Sequence, residues 1–154
     1  MSAESERAVA MFGEGYSCAQ SLFAAYAPGL GLDRDTALRL AAPLAGGVSR
    51  TNGPCGAATG ALLVIGLKFG HASCDDDAAE ERTRTLTQEF LRRFEARKGC
   101  SSCTGLLGAD LSEPGVPQRV KEEGLSQEIC PDLVRTSCDI LEDLMDHPDQ
   151  EFPA

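Results

Sequence analysis

Cysteine is the residue type here with the most chemistry to offer. The 154-residue chain carries seven, at positions 18, 55, 74, 100, 103, 130 and 138, against only two histidines. A thiolate is both a nucleophile and a metal ligand, and a helix N-terminus lowers thiol pKa through its free N–H groups and dipole. Cys55 follows Pro54 and is expected in the first turn of an apolar helix. Cys130 precedes Pro131, which disfavours the α conformation, so Cys130 is expected as an N-cap. Cys103 follows Ser101 and Ser102, either of which can cap a short helical turn. Three cysteines are therefore predicted at helix starts, with Cys55 as the best attacking thiolate and Cys18, Cys103 or Cys130 resolving. Cys138 reads as a small core residue and Cys74 as a bystander before an acidic run.

Cys100 and Cys103 form a C-x-x-C motif, a redox dithiol or half of a metal site. Thr104 stands where haem attachment would need His. There is no second C-x-x-C, as a zinc ribbon requires, and the ferredoxin spacings are missing. His71 and His147 lie beside helix ends and read as solvated caps. No G-x-S-x-G, P-loop or H-E-x-x-H motif occurs.

The elements that must position these thiols are helices. Apolar residues at Val9, Phe12, Tyr16, Ala19, Phe23 and Tyr26 step by three and four, predicting one helix from about Ser5 to Tyr26 with Cys18 beside its stripe. A second helix is expected from an Asp33 cap to Gly46-Gly47, and a third, central one over about 54–68, apolar on nearly every face. Gly56 and Gly60 strip bulk from that helix, so another element or a ligand can approach there. A fourth runs from the Asp75–Asp77 acids to Gly99, and a last from Pro131 to Met145. Residues 109–126, with Pro114, Gly115, Pro117 and Gly124, read as a surface loop. Residues 147–154 read as a frayed tail. The expectation is one all-α domain, a bundle of about five helices around the central one.

The charge balance is 14 basic against 24 acidic residues, or −10. Such a surface repels phosphate backbones and anionic lipid, which argues against nucleic acid as partner. The longest apolar run is shorter than the roughly 20 residues a bilayer needs, and Met1–Arg7 is polar with no apolar leader after it. A cytoplasmic, reducing location is expected, where cysteines are more often catalytic, redox-sensing or metal-binding than structural.

Three stretches carry a resemblance: Gly15-Tyr16-Ser17-Cys18-Ala19-Gln20-Ser21, then Gly53-Pro54-Cys55-Gly56-Ala57-Ala58-Thr59-Gly60-Ala61, then Cys103-Thr104-Gly105-Leu106-Leu107-Gly108 followed by Cys130. Over about 12–144 the chain resembles the bacterial and archaeal C-GCAxxG-C-C family of redox-active proteins. The resemblance implies that Cys18, Cys55, Cys103 and Cys130 are the functional set, with Cys74, Cys100 and Cys138 as additions. Cys100 could form a local pair with Cys103 that the family pattern lacks. Some relatives are fused or related to part of the split-Soret cytochromes, but this chain has no haem attachment motif. Members are often encoded near transporters, which implies association with one.

Three functions follow as expectations. The first is thiol–disulfide exchange or electron transfer with a redox partner protein, needing no cofactor. The second is an iron–sulfur cluster or zinc held by the same four cysteines, with Gly56 and Gly60 leaving room for it. The third is a redox-sensing accessory module for a transporter. The oligomeric state is left open.

Overall fold

The computed structural model describes residues 1–153, and every regular element in them is helical. Eight α-helices form the domain: α1 (Ala3–Glu14), α2 (Cys18–Tyr26), α3 (Arg34–Ala41), α4 (Gly56–Phe69), α5 (Asp77–Lys98), α6 (Cys103–Leu107), α7 (Val116–Glu123) and α8 (Leu125–Asp146). The all-α expectation holds, with more and shorter pieces than the expected five. No helix among the described residues is long and apolar enough to cross a membrane.

The predicted helix over 5–26 is two helices. Gly15 turns left-handed at φ 109°, and its N–H closes α1 on the Met11 and Phe12 carbonyls. Ser17 then opens α2 with a capping box: its hydroxyl accepts from the Gln20 N–H, and the Gln20 side chain accepts from the Ser17 N–H. The apolar stripe continues across the break, which is why periodicity alone reads one helix. The break makes Cys18 the first residue of a helix. Ser17→Ala should cost about 1 kcal/mol, read as a lower urea midpoint at unchanged slope.

Helices α2 and α4 form the core together and pack on each other more extensively than any other pair. Seven of the nine residues of α2 are buried, Ala19 and Leu22 completely. A methyl group built on Gly60 would lie 2.9 Å from the Ala19 carbonyl oxygen, and one on Gly56 3.1 Å from the Ala19 nitrogen. The element that approaches these glycines is thus α2. Gly60 leaves no room for a ligand, which corrects that half of the expectation. Around this pair, α5 contributes Leu86, Phe90 and Phe94, and α8 contributes Val134, Ile140 and Leu141, all fully buried. Glu89 is buried on α5 but held between Arg92 and Arg93.

Two segments differ from their predicted form. The second helix ends at Ala41, because Pro43 enters a short 3-10 turn. After it, Gly46, Gly47, Val48, Ser49 and Arg50 all have positive φ, a left-handed turn. Val48 is β-branched at φ 57°, a conformation that costs roughly 1–2 kcal/mol per residue. Hydrogen bonds hold it: Ser49 Oγ donates to the Pro43 carbonyl and the Gly53 N–H to the Gly47 carbonyl. The predicted loop over 109–126 contains α7, begun by Gly115 and closed by Gly124, both left-handed, with Pro117 in its first turn. In the tail, Phe152 packs under the Arg93 guanidinium, 5.4 Å from centroid to Cζ. Ala154 lies outside the described residues.

Candidate functional site

Four chain segments meet at one end of α2 and α4. Cys18 is the first residue of α2, Cys55 the N-cap of α4, Cys103 the first residue of α6. Cys130 lies in α8. All four line a single cavity of about 160 Å³. The remaining wall is mainly apolar, including Phe12, Leu106, Leu107, Leu111 and Leu133.

Backbone geometry sets Cys55 and Cys103 side by side. Pro54 and Ser102 form an isolated antiparallel bridge. The Cys55 N–H donates to the Ser101 carbonyl at 2.7 Å, and the Cys103 N–H to the Gly53 carbonyl at 3.1 Å. The left-handed turn seats against this bridge. A methyl group on Gly47 would meet Cys103 Cβ at 2.8 Å and the Gly53 carbonyl oxygen at 2.9 Å. Asn52 ties the strap to α6, its amide oxygen accepting from Thr104 Oγ1 at 2.6 Å. Ser102, rather than Ser101, caps α6 by accepting from the Gly105 N–H.

Cys130 is not an N-cap. Helix α8 starts six residues earlier than expected, at Leu125, because left-handed Gly124 ends α7 and lets the next helix begin at once. Pro131 lies inside the second turn of α8. The N–H it lacks forfeits one ladder bond, and packing of α8 on the core outweighs that. This placement sets Ser126 four residues before Cys130 on one helix face, close enough to hydrogen-bond its sulfur. Reading 109–126 as a loop hides this i, i+4 pair, although both residue types are plain in the sequence.

The thiols do not share one character. Cys18 and Cys130 line the same cavity, and each shifts the titration of the other. The Cys18 hydrogen bond holds the Cys130 thiol below its ordinary pKa, with Ser126 adding to the effect and burial opposing it. The same bond, with burial, raises Cys18 well above its own. The pair is therefore asymmetric: of the two, Cys130 gives up its proton more readily and Cys18 keeps its own.

Burial pushes Cys55 up to about 12, although the Ala57 and Ala58 N–H groups oppose this. Burial also raises Cys103. Burial works against the expectation that Cys55 is the best thiolate. Its helix-start position is real, but 3 % exposure costs the charged form more than two N–H groups return. Cys100 is absent from the cavity wall, and its sulfur lies over Gly105. Cys138 is fully buried in the core and Cys74 is exposed.

The buried neutral thiols have a consequence for stability. Folded Cys55 keeps its proton up to about 12 and Cys138 up to about 11, whereas the unfolded thiols release theirs near 9.0. Above that value the unfolded state binds fewer protons, so stability falls as pH rises. Urea titrations between about pH 9 and 11 should show a loss of roughly 1.4 kcal/mol per pH unit for each such thiol. Cys55→Ala should flatten the slope by its share.

The four cysteines expected from the sequence as a donor set for zinc or a cluster all line this cavity, as does Gly56. Among the described residues, no group of three or more His, Cys, Asp or Glu side chains is placed to hold a metal ion. Comparison with known proteins gives one family match. The family described as "Putative redox-active protein (C_GCAxxG_C_C)" matches residues 16–144, which span all four cavity cysteines. No curated protein and no solved structure matches the chain significantly.

Proposed function

Because the chain belongs to the C_GCAxxG_C_C family, we propose that it is a dithiol redox protein whose reactive pair is Cys18 and Cys130. The observation that carries this reading is the convergence of the two on one cavity shared with two further cysteines, where Cys130 is pushed toward its charged form and Cys18 away from it. Cys130 is the attacking sulfur. Attack on a partner disulfide gives a mixed disulfide, and Cys18 resolves it. Starting from the Cys130 thiolate and the Cys18 thiol, one disulfide forms, and two electrons and one proton leave the protein. Cys55 and Cys103, held together by the Pro54–Ser102 bridge, supply a second dithiol across the same cavity. The redox partner that accepts the electrons is a protein disulfide or a small-molecule disulfide.

Equilibration with graded ratios of reduced and oxidised dithiothreitol tests this. The reading expects a reversible two-electron transition in which Cys18 and Cys130 leave the thiol pool together. Thiols that stay free across the whole range would rule it out.

A second reading draws on the same convergence. Four cysteines from four separate segments around one cavity suit an iron–sulfur cluster, with Cys18, Cys55, Cys103 and Cys130 as ligands. Iron and sulfide assays after anaerobic purification separate the two readings.

A further inference from the structure

A groove of about 900 Å³ runs between the left-handed turn and α7. Gly46, Leu111 and Ser126 line both this groove and the cysteine cavity, so the two adjoin at these residues. The groove is within the size range of small-ligand sites. Its charge is opposite to that of the molecule. In a chain of net charge −10, its wall carries Arg50 and Lys121 and no carboxylate. Neither cation makes an ion pair among the described residues. The groove along Asp143, Asp146 and Asp149 and the pocket along Glu4, Glu142 and Asp146 each carry three carboxylates. The five-residue run of positive φ ends on Arg50, so the strained turn presents this cation at the groove.

We propose that this groove binds a small disulfide bearing carboxylate groups, with Arg50 and Lys121 receiving the carboxylates and the disulfide directed past Gly46, Leu111 and Ser126 toward Cys130. The proposal rests on the dithiol reading above and names its oxidant. The Cys130 thiolate attacks one ligand sulfur, forms the Cys130–ligand bond, breaks the ligand S–S bond and expels one thiolate. Cys18 then attacks the Cys130 sulfur, forms the Cys18–Cys130 bond and expels the second thiolate. One departing thiolate takes the Cys18 proton and the other takes a proton from solvent. Two electrons pass to the ligand: the protein dithiol and one disulfide become the protein disulfide and two small thiols. The inner cavity, at about 160 Å³, admits a sulfur and its adjoining methylenes, while the charged ends stay in the groove.

The test compares two disulfides of similar size, the dianion 3,3′-dithiodipropionate and the neutral 2-hydroxyethyl disulfide. The rate of Cys18–Cys130 bond formation is read by quenching with an alkylating agent and mass spectrometry. Replacing Arg50 and Lys121 together by Gln should slow the dianion on the order of fivefold, the scale of two half-exposed ion pairs. The neutral rate should be unchanged. Lys121→Gln alone, on an exposed turn of α7, should give a smaller loss of the same kind without touching the strained turn. Added salt should slow the dianion in the wild type and not the neutral disulfide. Equal effects on both probes, or none on the dianion, would overturn the groove while leaving the dithiol standing. A wild type whose Cys18 and Cys130 are oxidised by neither probe would overturn both.

Discussion

Under mild oxidation that converts the wild type to its Cys18–Cys130 disulfide, Cys130→Ser protein should keep Cys18 in the thiol pool. Cys18→Ala should likewise keep Cys130 there, for a different reason and with a second symptom. Without its donor, the Cys130 thiolate loses the hydrogen bond that holds its pKa down. Each unit of pKa restored removes about tenfold of the thiolate present near neutral pH. Iodoacetamide should therefore label Cys130 more slowly in Cys18→Ala than in the wild type, and the pH profile of labelling should move upward. A merely structural role for Cys18 predicts no such shift. Cys74→Ser, at an exposed position away from the cavity, should change neither measurement. Buried Cys55 should label more slowly than Cys130 throughout.

The second large effect lies in the helix contact that delivers Cys18. Gly→Ala inside a helix normally gains up to about 1 kcal/mol. At Gly60 the new methyl would sit 2.9 Å from the Ala19 carbonyl oxygen and 3.1 Å from Ala19 Cα, and backbone atoms of a packed helix cannot step aside. Gly60→Ala should therefore lose roughly 1–3 kcal/mol, the usual cost of overpacking. Gly60→Val should lose more. The control is on the same helix: Gly66 has nothing within 4 Å of a built methyl, so Gly66→Ala should be neutral or stabilising. Urea midpoints read both. Because Gly56 and Gly60 seat the start of α2 against α4, Gly60→Val should also slow Cys18–Cys130 disulfide formation.

Much of this was legible in the sequence, and the misreadings have physical causes. An Ala-, Leu- and Gly-rich chain with helical periodicity and no strand pattern reads correctly as all-α. The break before Cys18 is written in Ser17 and Gln20, a capping pair, but an unbroken apolar stripe outvotes it. Helix α7 is written in Pro117 between Gly115 and Gly124, yet the same residues are loop formers, and only packing of Val120 decides between them. Pro131 looks like a helix start because proline prefers that place. Once Gly124 has opened α8, the chain tolerates it a turn later. The left-handed run at Val48 and Ser49 is invisible, since neither residue type favours positive φ.

The order of the thiols in acidity depends on tertiary packing. A helix N-terminus can be inferred from spacing, and Cys55 does occupy one. How deeply its sulfur is buried is a tertiary property, and burial decides its pKa. The opposing effect on Cys130 needs two partners, Cys18 from α2 and Ser126 from its own helix. Neither proximity follows from order along the chain.

The most direct test is peptide mapping of the protein after oxidation to a single disulfide, with remaining thiols alkylated beforehand. The account predicts one cross-linked pair containing Cys18 and Cys130, absent after reduction and restored on reoxidation. A bond between Cys100 and Cys103 alone, or four cavity thiols that remain free, would contradict it.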